Sequence, residues 1–157
     1  MVLNNVFSPD LIKVGLEGTD KEEVFEELVD LYVSRNPSSS RSSILASLRA
    51  REEKQSTGIK AGFAFPHAQT EEVDSVVGII GVSKSGIDYD SLDGKPVNVV
   101  FLLLSSCSGC SLHLRTLKRL SVLIEDPSFL RAIVDQKDGD GIYSTLKRYE
   151  DILATSM

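Results

Sequence analysis

The segment Val97–Ser105, reading Val-Asn-Val-Val-Phe-Leu-Leu-Leu-Ser, is apolar through Leu104 except at Asn98. In an extended strand successive side chains point to opposite faces, so a run without alternation needs cover on both sides. Its length falls far short of the ~20 residues that cross a bilayer. It therefore predicts an interior strand of a covered sheet. Phe63–Phe65 and Val76–Ser83 have the same aromatic or β-branched character, and Lys84-Ser85-Gly86 and Asp93-Gly94-Lys95-Pro96 read as the turns that punctuate them.

Helical spacing supplies the covering layers. Val24, Leu28, Leu31 and Tyr32 mark a helix over Lys21–Arg35 behind the candidate caps Thr19 and Asp20, and Ile44, Leu45 and Leu48 mark another over Arg41–Lys54 behind Ser40. A third, strongly apolar helix is predicted from Leu112 to Glu125. Asp126-Pro127 starts a short one through Val134, and Asp140 starts a last one through Leu153. Helices before, between and after strands predict an α/β fold with a mixed parallel/antiparallel central sheet and helices on both faces, as a single domain over residues 1–157.

Charge narrows the function. With 23 acidic against 17 basic residues, the net charge of −6 disfavours nucleic acid and anionic membrane surfaces, and a basic protein partner suits the chain better. The absence of a signal-type N-terminal segment and the presence of two cysteines only, Cys107 and Cys110, point to the cytoplasm.

The two histidines, His67 and His113, are the side chains whose charge ordinarily changes near neutral pH. His67 ends Gly58-Ile59-Lys60-Ala61-Gly62-Phe63-Ala64-Phe65-Pro66-His67, where glycines permit close backbone approach and Pro66 stiffens the chain before the imidazole. Arg49, Arg51 and Lys54, followed by Ser56, Thr57 and Gly58, offer the cations, hydroxyls and N–H groups of an anion site. They read equally well as a solvated helix face ending in a glycine cap. Cys107, Cys110 and His113 have Cys-x-x-Cys-x-x-His spacing, one ligand short of a structural zinc site, and the Ser108-Gly109 spacer is not thioredoxin-like. Two incidental loop residues are the favoured reading. No nucleotide-binding, hydrolase or metalloprotease motif is present.

Arg51-Glu52, Ser56-Thr57-Gly58-Ile59 and Gly62-Phe63-Ala64-Phe65-Pro66-His67-Ala68 resemble the active-site signature of the fructose/mannitol/nitrogen-regulatory (type 2) enzyme IIA family of the sugar phosphotransferase system (PTS). Gly86-Ile87-Asp88-Tyr89-Asp90, Asp93-Gly94-Lys95-Pro96-Val97 and His113-Leu114 resemble its later blocks in order. The resemblance implies a cytoplasmic phosphotransferase without cofactor or metal. His67 would accept a phosphoryl group from a phosphorylated HPr-like carrier and pass it to an enzyme IIB, with any link to the membrane only through a IIC partner. His113 and Arg51 match the auxiliary residues, and Ser56, Thr57, Gly58 and Gly62 fall in the phosphate-binding stretch. Fructose-type transport is the first expectation and a nitrogen-regulatory, partner-binding role the second. Lys60-Ala61 departs from the family's usual Gly-Asn, which leaves the orientation of His67 to backbone or water.

Overall fold

The computed structural model describes residues 2–156, and the observed fold is the expected α/β arrangement. Its strands are β1 (Ile12–Val14), β2 (Gly58–Lys60), β3 (Phe63–Ala64), β4 (His67–Gln69), β5 (Val76–Ile87) and β6 (Val97–Ser105). Its helices are α1 (Lys21–Arg35), α2 (Arg41–Lys54), α3 (Cys110–Leu123), α4 (Phe129–Val134) and α5 (Gly139–Ser156).

The sheet runs β1-β5-β6-β3-β2, with β4 also paired to β6. The β5–β6 pair is antiparallel, whereas β1 on β5 and both β3 and β4 on β6 are parallel. Apolar β6 is thus the central strand, and its alternating side chains serve two cores. Val99, Phe101 and Leu103 face α3, α4 and α5 together with Phe63, Phe65, Leu120, Phe129 and Ile142. Val100, Leu102 and Leu104 face α1 and α2 together with Val24, Leu28, Ile44, Leu45 and Leu48.

Helix starts follow local chemistry. Asp20 accepts from the Glu23 N–H at 2.9 Å while the Glu23 carboxylate accepts from the Thr19 N–H at 3.0 Å, a reciprocal cap on α1. Ser40 Oγ accepts from the Ser43 N–H at the start of α2.

Three details depart from the sequence reading. The segment Lys84-Ser85-Gly86 is not a reversal: β5 continues to Ile87 through a bulge, where Gly86 takes a φ of 93° and donates to Ser83 Oγ. The expected strand Phe63–Phe65 is the short β3, and a further strand not expected, β4, follows after Phe65 and Pro66; Pro66 has no N–H but offers its carbonyl to the Leu103 N–H at 2.9 Å. The N-terminal segment, read as neither helix nor strand, forms two 3-10 turns and β1.

Candidate functional site

The parallel pairing of β4 with β6 sets His67, the first residue of β4, opposite Leu103, near the carboxyl end of β6. Ligand sites of parallel sheets commonly lie beyond such ends. From there β6 leads through the 3-10 turn Cys107–Gly109 into α3, which brings His113 back over the strand end. The two imidazole centroids are 5.3 Å apart, edge to face at 60°.

Arg51, in the last turn of α2, completes the cluster. Its Nε donates to His67 Nε2 at 3.2 Å and its Nη1 to the Gln55 carbonyl at 2.8 Å. Because a guanidinium only donates, Nε2 must present its lone pair, which leaves the ring proton on Nδ1. That nitrogen lies 2.9 Å from the Phe65 carbonyl, an acceptor that suits it. The orientation of His67 therefore falls to main chain, one of the two alternatives left by the missing Asn.

His113 is half-buried, and its Nδ1 has no hydrogen-bond partner among the described residues. Burial, then the neighbouring His67, pushes its pKa below the ordinary 6.5, so it is neutral at neutral pH. The unfolded chain then binds the proton first as pH falls. Stability tied to His113 is full above about 6.5 and declines as pH drops through the depressed pKa. Urea melts at stepped pH should show this acid-side decline, and it should be shallower in His113→Gln.

The other predicted site residues divide. Ser56 Oγ accepts from the Gly58 N–H at 3.2 Å. Thr57 is buried, its N–H donating to Glu52 at 2.8 Å and its hydroxyl bonded to Glu52 at 2.7 Å and to the Tyr89 hydroxyl at 2.8 Å. The N–H groups of Thr57 and Gly58 are thus engaged within the segment, with Glu52 and Ser56. Gly62 lies farther from His67. Its carbonyl receives the Asn98 and Val99 N–H groups, four residues back along β6 from Leu103 and so roughly 13 Å away along the strand.

Of the upstream cations, Arg49 binds Glu22 on α1, so only Arg51 is seen bonded to His67. Lys60 pairs with Glu125 at 2.6 Å, beyond the far end of α3 from His113, and the Ala61 N–H goes to Asp93. The Lys60-Ala61 departure therefore sits away from His67. Among the described residues no group of three His, Cys, Asp or Glu side chains is placed to hold a metal ion.

Sequence reasoning did not find the role of Glu52, the buried carboxylate next to Arg51. It receives both Thr57 bonds and the Lys21 ammonium at 3.0 Å, while Lys21 also lies over the Tyr89 ring. Burial, reinforced by Glu52, pushes the Tyr89 phenol well above its ordinary range and keeps it neutral. The signal was the Arg-Glu pair at the helix end, which by itself reads as surface charge. Glu52→Ala strands the Thr57 donors and should lower unfolding free energy by about 3 kcal/mol in a urea melt, with Glu52→Gln intermediate.

The chain as a whole has counterparts among known proteins. A model of the family described as phosphoenolpyruvate-dependent sugar phosphotransferase system, EIIA 2, matches residues 5–149. The chain belongs to this PTS enzyme IIA family. It is 30% identical over 150 residues to the PTS system fructose-specific EIIABC component of Bacillus subtilis, covering 96% of this chain and 24% of that protein. It is 27% identical over 146 residues to a nitrogen regulatory protein of Bradyrhizobium diazoefficiens, covering 93% of this chain and 95% of that one. The crystal structure of nitrogen regulatory protein IIA-Ntr from Neisseria meningitidis superposes with a TM-score of 0.85 at 26% identity, covering 93% and 99% of the two chains. The enzyme IIA–phosphorylated enzyme IIB mannitol complex from Escherichia coli shares the fold, with a TM-score of 0.74 at 15% identity and coverage of 90% and 99%. PTS IIA proteins are phosphotransfer components, and no helix among the described residues of this one is long and apolar enough to cross a membrane.

Proposed function

We propose that His67 carries a phosphoryl group on Nε2, taken from a phosphorylated HPr-like carrier and passed to the cysteine of an enzyme IIB. The observation that carries this reading is the tautomer set by Arg51 and the Phe65 carbonyl, which leaves the lone pair on Nε2 as the nucleophile.

In the transfer the Nε2 lone pair attacks phosphorus in line. The new N–P bond forms as the donor's bond to phosphorus breaks, and that electron pair stays on the donor nitrogen. Nδ1 keeps its proton on Phe65. Arg51 releases Nε2 and turns its donors to the phosphoryl oxygens, while His113, across 5.3 Å, offers a ring N–H to another oxygen. No cofactor enters the scheme. Incubation with phosphoenolpyruvate, enzyme I and HPr should give stoichiometric, acid-labile, base-stable label, and a folded protein that takes up none under these conditions sinks the proposal.

Phosphorylation should also reverse the protonation bias of His113. A phosphate dianion on His67 brings negative charge beside His113 and favours the imidazolium, so the His113 pKa should rise. NMR titration of the ring protons should show an upward shift on phosphorylation, and an unchanged or lowered value would place His113 away from the phosphate.

A nitrogen-regulatory role is the second reading. It is supported by the 0.85 TM-score with the Neisseria IIA-Ntr protein and by the near-complete mutual coverage with the Bradyrhizobium nitrogen regulatory protein. Rapid loss of label to fructose-type IIB domains supports transport. Label retained in their presence, with partner binding that differs between phosphorylated and unphosphorylated forms, supports regulation.

A further inference from the structure

Cys107 and Cys110 take no part in the phosphoryl-transfer scheme, and both are exposed free thiols. Unpaired cysteines are usually buried as small apolar side chains, and exposed ones are the reactive class. Nor do they hold the turn they occupy. Ser106 and Ser108 hydroxyls donate to the Asp74 carbonyl at 3.0 and 3.2 Å, and Gly109 packs so close to Ser75 that a Cβ there would meet its carbonyl oxygen at 2.5 Å. The serines and the glycine pin the turn, and the thiols are not part of that anchoring.

Both thiols adjoin the histidine cluster. Cys107 Sγ accepts from Gln69 Nε2 at 3.4 Å, and Gln69 stands two residues beyond His67 on β4. Cys110 is the first residue of α3, one turn before His113. Cys107 begins the 3-10 turn that runs directly into this helix, so the two lie three residues apart along one helical path, where side chains eclipse.

We propose that Cys107 and Cys110 form a redox-active dithiol that closes reversibly to an intrachain disulfide and, on closing, shifts the start of α3 and with it His113. Side chains three apart on a helical path have Cβ atoms roughly 5–6 Å apart, while a disulfide needs roughly 3.5–4.5 Å. Closure therefore tightens the turn by about 1–2 Å. The pinned serines and Gly109 pass that movement to the first turn of α3 and to the Gln69 contact. The oxidant is a low-molecular-weight disulfide such as glutathione disulfide. One cysteine thiolate attacks it and expels one glutathione, and the second thiolate displaces the other. The glutathione disulfide bond breaks as the single mixed disulfide forms, and that mixed-disulfide bond breaks as the protein S–S bond forms; the protein is oxidised by two electrons, glutathione disulfide is reduced by two, and the two thiol protons end on the two released glutathiones.

The test equilibrates the full chain in glutathione/glutathione disulfide buffers, quenches with an alkylating reagent and reads intact mass. The wild type and His67→Ala should each lose two hydrogens without alkylation, while Cys107→Ser and Cys110→Ser should show only a glutathione adduct or an alkylated thiol. NMR of the oxidised wild type should show moved His113 ring resonances that return with dithiothreitol. Glutathione adducts alone on the wild type, or closure with unmoved His113 signals, overturns the proposal. The consequence for phosphoryl transfer rests on the His67 reading: oxidised protein should label roughly ten- to hundredfold more slowly than reduced, because transfer is sensitive to ångström displacements. If the reduced protein takes no label, the His67 reading fails, while the mass and NMR results still decide the dithiol.

Discussion

His67→Ala should take up no phosphoryl label from phosphoenolpyruvate, enzyme I and HPr, while the variant folds as the wild type does. The loss should be complete rather than graded, because the substitution removes the atom that forms the N–P bond and leaves the electrostatic surroundings with nothing to act on. The fold should survive because the ring is only partly buried and makes one hydrogen bond to main chain and one to Arg51. Far-UV circular dichroism and the urea midpoint check this. Arg51→Ala should instead keep the nucleophile and lose a donor to the transferring group, slowing labelling by about 10²–10³. Label persisting on His67→Ala would assign the phosphoryl group to another residue. Equal, complete loss in both variants would mean that Arg51 is needed to hold the site together.

The largest stability effect should come from Glu150→Ala, far from the histidines. Glu150 on α5 is buried, yet its carboxylate receives the Val2 N–H at 3.1 Å and the Leu3 N–H at 3.1 and 3.2 Å, and Arg119 on α3 approaches to 3.6 Å. One side chain thereby closes the N-terminal segment onto the two long helices of that face. Truncation leaves two main-chain donors and part of a buried ion pair without the acceptor, a class of change that costs about 3–5 kcal/mol. In a domain of this size that is a drop of roughly 10 °C in Tm. Glu150→Gln keeps the shape and one acceptor oxygen and should fall between the two. Differential scanning calorimetry reads all three, and a Glu150→Ala midpoint within about 2 °C of wild type would show that water replaces the carboxylate.

The two cases mark how far the sequence could be read. Val97–Leu104 announced a strand covered on both faces because an extended chain with no alternation can satisfy itself only between two layers, and the helix caps at Asp20 and Ser40 were legible because they act within one turn. The short pieces were not legible. β1 spans Ile12–Val14 and exists because β5 lies beside it, and Glu150 reads as one more helix charge until the main chain of Val2 and Leu3 reaches it.

The same division runs through the site. His67 and Arg51 stood out by residue type and spacing, and their joining follows from α2 ending where β4 begins its pairing with β6. Ser56, Thr57, Gly58 and Gly62 looked alike in sequence as glycine and hydroxyl positions. The fold gave Thr57 to Glu52, used the Gly58 N–H on Ser56, and put Gly62 at the other end of the strand. Sequence alone determined the layers, the caps and the candidate nucleophile, because periodicity, capping and side-chain chemistry are local. Only the tertiary structure decided which donors are engaged, which nitrogen of His67 carries the lone pair and what stands 5.3 Å from it, because hydrogen-bond partners distant in the chain are chosen by packing.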